Sequence, residues 1–224
     1  PFFKFLNVPS FVEKIKFSEE ILKALEGWVE KQNCALDAQV KEIFKKWPGL
    51  LKSWTKTNNT AVLPRLKDFA HDVKESSLPK YDKDQCLAFL KRKSFDMEDY
   101  VQDVYNLLHD SGHLKGYLPP NPKLDSHLDY LKRLTEKNRA KNNLDYFDMS
   151  LVLRLIQLKN GGLPDGTGGV TSLDHLVIDE AQDFGPVEFA IMMSAVSDKR
   201  QITIVGDVAQ KILSARKFIG WNKV

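Results

Sequence analysis

Two short apolar runs stand apart from a chain whose hydrophobic positions otherwise recur at helical spacing. Leu176-Val177-Ile178 and Ile202-Thr203-Ile204-Val205 are brief, rich in Val, Ile and Leu, and bounded by turn residues. Strands covered on both faces read as near-continuous apolar runs, so this pattern predicts two buried parallel strands. Residues 186–196 open on a Pro suited to a first helical turn and continue mostly apolar, which predicts a helix between them. The right-handed crossover of such a unit makes the strands parallel and brings their carboxyl ends to one edge of the sheet.

Before residue 161 the pattern is helical almost throughout. Helices are predicted over 19–31, 38–46, 64–74 and 83–93, with breaks near Trp47-Pro48, Asn58-Asn59 and 76–79. Asp96 is expected to cap a helix carrying Met97, Tyr100, Val101, Val104, Tyr105 and Leu108, with Asp99 completing a capping box and Ser111-Gly112 ending it. Leu124, Leu128, Leu131 and Leu134 mark a helix after Pro119-Pro120-Asn121-Pro122, with Lys132, Arg133, Lys137, Arg139 and Lys141 along and beyond its exposed side. Residues 145–159 are apolar on nearly every side, which predicts a helix buried against the sheet and belonging to the C-terminal unit. The expected boundary therefore falls near Lys141-Asn142-Asn143, and there is no fixed-period repeat.

Composition narrows the class without choosing a function. A chain of 224 residues that is 42% hydrophobic can bury a substantial core, as one domain or two small ones. It has no long uninterrupted apolar segment and no signal peptide, so a cytoplasmic protein with no membrane partner is expected. Cys34 and Cys86 are far apart and form no Cys-x-x-Cys, which suits reduced thiols. The net charge of +3 permits nucleic acid as a partner without arguing for it.

The chemistry lies where the apolar runs end. The first passes into Asp179-Glu180-Ala181-Gln182-Asp183 and the second into Gly206-Asp207-Val208-Ala209-Gln210, so Asp179, Glu180, Gly206, Asp207 and Gln210 should converge. A carboxylate there can hold a hydrated Mg²⁺, a hard cation bound through few protein ligands plus substrate phosphates. Glu180 can orient or deprotonate a water attacking a phosphoryl group. Gln182 and Gln210 are neutral hydrogen-bonders able to respond to a terminal phosphate. The alternative is a plain strand-end turn, with Asp183 or Gly185 capping the next helix.

These residues carry a resemblance. Asp179-Glu180-Ala181-Gln182-Asp183 resembles the Walker B box (motif II) of superfamily 1 helicases of the UvrD/Rep type, and Val205-Gly206-Asp207-Val208-Ala209-Gln210 resembles their motif III. The resemblance implies an ATP-driven motor on DNA, with ATP and Mg²⁺ as cofactors. By position it makes Asp179 the Mg²⁺-coordinating carboxylate, acting through water, and Glu180 the catalytic base. Gln182 becomes a link between nucleotide and the neighbouring motif, and Gln210 a γ-phosphate sensor. It also implies an α/β fold of the P-loop NTPase type: a helical insertion subdomain, 1–143, then a partial RecA-like parallel unit, 144–224. The chain departs from the pattern at Ser214-Ala215-Arg216, where the usual motif III ends Gly-Trp-Arg; Trp221 follows Gly220 a little later. The form Gly-Asp-Val-Ala-Gln is closer to the HelD-like branch, some members of which act on RNA polymerase.

Other features bound this reading. No Gly-x-x-x-x-Gly-Lys-Ser/Thr occurs in the chain, and the Gly-rich run 161–169 has no Lys and precedes a strand, so it is read as a flexible surface loop. A chain opening on Pro1 and stopping shortly after motif III reads as a piece of a larger protein. His109 and His113 stand four apart, but Gly112 interrupts the helix that a paired metal site needs. No Gly-x-Ser-x-Gly or activated cysteine supports nucleophilic catalysis. Lys45, Lys46, Trp47 and Trp54, with Lys41, Lys52 and Lys56, form a basic-aromatic run. It reads as a single-strand DNA path, with Arg216 and Trp221 as further contacts, or as core tryptophans beside a solvated lysine face. Two classes remain open: a piece of a helicase motor, or a HelD-like ATPase whose helical insertion binds RNA polymerase.

Overall fold

A single helix, α2 (Glu19–Phe44), joins the two hydrophobic cores of the helical region. Its 26 residues reach about 39 Å at the usual helical rise. Two helices with a break were expected over this stretch; the break is absent because 32–37 contains neither Gly nor Pro, and Leu36 continues the buried stripe of Leu25 and Val29 toward Val40 and Phe44. The computed structural model describes residues 9–56 and 61–207.

The first core gathers α1 (Ser10–Lys16), the first half of α2, α6 (Tyr100–His109), α7 (Ser111–Lys115), α8 (Leu124–Ala140) and α9 (Tyr146–Asn160). The second gathers the other half of α2 with α3 (Pro48–Lys56), α4 (Val62–Glu75) and α5 (Lys80–Met97). Helix α3 replaces part of an expected break, since Pro48 occupies the first helical position, where its missing N–H costs nothing. The expected break at 76–79 is present between α4 and α5, while the one at Asn58-Asn59 lies outside the described residues. Asp99, not Asp96, is the N-cap of α6 and accepts from Gln102 N at 3.0 Å. Asp96 belongs to the last turn of α5, because Met97 still packs on the second core. Beyond His109 the chain turns at Asp110, which caps α7, so Ser111 and Gly112 begin a helix instead of ending one.

Helix α9 is pinned at both ends by buried charge. Asp145 caps it, accepting from Phe147 N and Asp148 N, while Asp148 accepts from Asp145 N in return. Lys16 of α1 reaches both carboxylates at 2.6 Å. At the other end Lys159 pairs with Asp103 of α6 and donates to Met97 O at 2.9 Å. Asp103 also accepts from Gln32 at 2.6 Å. Acids at the N-terminus and a cation at the C-terminus match the helix dipole. Burial pushes the Asp148 carboxyl up, Lys16 opposing the shift, and pushes the Lys159 ammonium down. Expected to lie on the sheet, α9 packs instead on the crossover helix α10 (Pro186–Met193) and among α1, α2, α4 and α6, and its buried Leu151 and Leu155 belong to the first core.

The α/β part is small. Strands β1 (Leu176–Ile178) and β2 (Ile202–Ile204) pair in parallel, with Ile178 beside Ile204, and α10 (Pro186–Met193) makes the crossover. Pro186 occupies its first turn, as its position suggested. Phe189 of α10 packs with Ile178 and Ala181 in a third cluster, while Val187 enters the first core, so α10 joins strands to helices. The Gly-rich segment is organised around Asp165, whose carboxylate accepts from Thr167 N, Thr167 Oγ1 and Gly169 N; these bonds hold its carboxyl below the usual range. Among the described residues no helix is long and apolar enough to cross a membrane.

The clamp at Lys16 gives a stability prediction with a sign. Lys16→Met leaves two buried carboxylates without a cation, a loss of about 3–5 kcal/mol at neutral pH. Without Lys16, Asp148 takes up a proton still more readily in the folded chain than in the unfolded one. The stability that protonation supplies is then fully present below the ordinary carboxylate value and is lost as pH rises through the raised folded value. Urea unfolding at pH 5 and pH 7.5 should show the deficit of the variant shrinking at the lower pH.

Candidate functional site

Beyond the last ladder residues the two strands stay in register as loops. Val205 N donates to Ile178 O at 2.8 Å, and Ala181 N donates to Val205 O at 3.0 Å. This continuation brings Asp179, Glu180, Gly206 and Asp207 to one edge. Asp179, Glu180 and Asp207 are exposed there, with Gln182 buried behind them. Gln210 lies outside the described residues.

Gln182 joins the two loops. Its Nε2 donates to Glu180 Oε2 at 2.5 Å, and its Oε1 accepts from Asp207 N at 2.9 Å. With 2% exposure it has little access to water as an alternative partner. Gly206 makes this contact sterically possible: a Cβ there would lie 2.5 Å from Gln182 Oε1 and 2.9 Å from Ala181 N. Glu180 is in the left-handed region, with φ 51° and ψ 42°, a conformation that costs a non-glycine residue about 1–2 kcal/mol. Asp179 Oδ1 accepts from Glu180 N at 2.8 Å, and Asp183 N donates to Glu180 O at 2.9 Å, closing a short 3₁₀ turn over Ala181–Asp183. Gly185 begins α10, its N–H donating to Glu188 Oε2 at 2.7 Å.

The arrangement offers hard oxygen donors at an open edge. Among the described residues no group of three or more His, Cys, Asp and Glu side chains is placed to enclose a metal. Asp179 and its neighbours are suited to a cation that keeps most of its waters, not to a dehydrated one. Sequence reading had no signal for the left-handed Glu180, since nothing about a Glu marks that conformation. Ala181, whose N–H extends the ladder, was likewise missed, because backbone groups leave no trace in side-chain identity.

The basic-aromatic run resolves differently. Trp54 is a correction: it is 0% exposed, packed on Phe69, and donates from Nε1 to Asp37 Oδ1 at 3.0 Å. The Arg65 guanidinium lies 3.7 Å from its ring centroid, so Trp54 has no face for a base. Trp47 is half-buried against Phe44. Lys45 and Lys46 are exposed, with Lys45 bonded to Glu42. Arg216 and Trp221 lie outside the described residues. His109 and His113 point apart, to Glu136 Oε1 at 2.9 Å and to Ala24 O at 2.7 Å.

The structure is thus that of a mostly helical α/β protein with an acidic edge on a small parallel sheet. The chain belongs to the UvrD/REP helicase N-terminal domain family, whose model matches residues 16–217. It is similar to the ATP-dependent DNA helicase srs2 of Schizosaccharomyces pombe (strain 972 / ATCC 24843), with 34% identity over 104 residues, 46% of this chain. That segment spans 11% of the relative's length. No solved structure matches the chain.

Gly206→Ala should lower stability by about 1–3 kcal/mol, because its Cβ meets backbone that cannot retreat. Gly49→Ala is the contrast: nothing lies within 4 Å of its added Cβ, and a helical Ala should stabilise by up to about 1 kcal/mol. Thermal unfolding of both variants should shift in opposite directions.

Proposed function

We propose that the strand-end loops form one side of an ATP-hydrolysing centre in the first motor domain of a superfamily 1 DNA helicase or translocase. The observation that carries this reading is the Gln182 bridge from the Glu180 carboxylate to the Asp207 backbone. In a plain strand-end turn, nothing requires a buried amide to join two exposed acidic loops. Here Asp179 would hold a hydrated Mg²⁺, and Glu180 would orient and deprotonate the attacking water. Gln182 transmits the position of one loop to the other, and Gln210 reads the terminal phosphate. When bound, Mg²⁺ supplies charge neutralisation at the phosphates. The helical insertion, 1–143, and the partial RecA-like unit, 144–224, divide this motor piece, with α9 packed into the helical core.

The partner in this reading is DNA, single-stranded at the motor. Lys45 and Lys46 supply phosphate contacts, Trp47 stands beside them, and Arg216 and Trp221 lie downstream. The Gly-Asp-Val-Ala-Gln form of 206–210, with Ser214-Ala215-Arg216 after it, supports a second reading. In that reading the helical insertion of a HelD-like ATPase grips RNA polymerase.

The chain by itself lacks a phosphate cradle and should hydrolyse no ATP; tight Mg-ATP binding to it by calorimetry would contradict this assignment. In the full-length protein, Glu180→Gln should keep nucleotide affinity and lower turnover by roughly a hundred- to ten-thousand-fold. Asp179→Ala should weaken Mg-dependent binding itself. Near-normal DNA-stimulated turnover in Glu180→Gln would remove Glu180 from the role of base.

Replacing Lys45 and Lys46 together by Ala should weaken single-strand binding for all sequences alike, reducing the salt slope by roughly one counterion for each phosphate that is no longer neutralised. Fluorescence anisotropy across a salt series reads this directly. Unchanged DNA binding together with co-purifying RNA polymerase would favour the HelD-like reading.

A further inference from the structure

Helix α5 packs one side on the second core and leaves the other open along its length. Cys86 and Leu90 are buried, whereas Tyr81, Asp84, Gln85, Ala88, Lys91, Arg92 and Phe95 are exposed. Tyr81 is 73% exposed and Phe95 75%, more than any other large hydrophobic side chain among the described residues. Two such rings on one polar helix are unexpected for a face that meets only water.

Their spacing is informative. Tyr81, Ala88 and Phe95 recur every seventh residue, so they lie on one stripe that drifts only about 20° per heptad. The two rings stand about 21 Å apart at the helical rise. Ala88, small and central, allows a second helix to approach closely. The flanking charges are arranged about the same point: Asp84 lies four residues before Ala88, and Lys91 and Arg92 lie three and four after it. Among the described residues, no ion pair within the chain engages any of these three charges.

A stripe with this order is complementary to itself when reversed. Turned end for end, it sets Tyr81 beside Phe95 of a second copy, Asp84 beside the Lys91-Arg92 pair, and Ala88 against Ala88. Parallel pairing would instead place Asp84 on Asp84 and the cations on themselves, which is repulsive. We propose that two copies of this chain associate through antiparallel pairing of α5 about a two-fold axis at Ala88. The contact is isologous, as a two-fold axis requires, and closes at two copies. One helix seam is small beside a standard interface of roughly 1,600 Å², so weak association is expected.

Sedimentation equilibrium on this chain over about 10–500 µM should show a monomer–dimer equilibrium that weakens with salt. Asp84→Lys alone, or Lys91→Glu with Arg92→Glu, should each weaken self-association by about tenfold or more. An equimolar mixture of those two variants should form a mixed dimer, since every charge then meets its opposite. Phe95→Ser should weaken association similarly while leaving thermal unfolding unchanged, because its ring is solvated in the monomer. A wild-type chain monomeric throughout the range would overturn the proposal. So would dimers that survive the charge reversals, or variants that fail to pair when mixed. Loss of DNA binding in these variants, with a monomeric wild type, would assign the stripe to nucleic acid instead.

Discussion

The buried charges at the two ends of α9 constrain the rest of the helical region. Taking a Lys and two Asp out of water costs several kcal/mol per ion, and only close, hydrogen-bonded geometry offsets it. Lys16 hydrogen-bonds Asp145 and pairs with Asp148 across the α9 capping box, and Lys159 hydrogen-bonds Asp103. The first pair fixes α1 on the N-terminus of α9, and the second fixes α6 on its C-terminus. Gln32 adds α2 to the second pair through Asp103. Hydrophobic packing alone tolerates sliding of one helix along another, whereas these pairs tolerate little.

That constraint reaches the acidic edge through α10. Gln157 of α9 donates to Ile191 O at 2.8 Å, and Val187 enters the core that α9 helps to build. The opposite side of α10 carries Phe189 onto Ile178 and Ala181. The strand that ends in Asp179 is therefore held against a helix that is itself held against α9. Gly161 makes the turn out of α9 possible, at φ 79°, where a side chain would be strained.

The strands, their parallel sense and the meeting of their acidic ends were legible in the sequence because each depends on local composition, whereas the burial expected of both strands is not met, since Val177 is 62% exposed and Val205 52%. Short apolar runs joined by a helical stretch admit few topologies. What was not legible depends on distance along the chain. Lys16 and Asp145 are 129 residues apart, and nothing near either residue announces the other. The continuity of α2 was hidden because Leu36 is the one buried residue of 32–37, too few to mark a helical face there, although nothing in that segment breaks a helix. Trp54 looked like a candidate for stacking because lysines surround it in sequence. The ring turns inward, and only those lysines face solvent.

Glu180 shows how this edge keeps a strained residue. Its left-handed backbone costs about 1–2 kcal/mol, while a hydrogen bond contributes a net of only about 0.5–1.5 kcal/mol. One bond from Gln182 therefore does not decide the loop conformation. The decisive contribution comes from several bonds acting together: the two that extend the ladder at Val205 and Ala181, and the Gln182 amide that engages both loops. The bonds at Gln182 and at Ala181 require Gly206 to remain without a side chain. The direction in which Glu180 presents its carboxylate is thus set by the pairing of β1 with β2 more than by the contacts of the carboxylate itself.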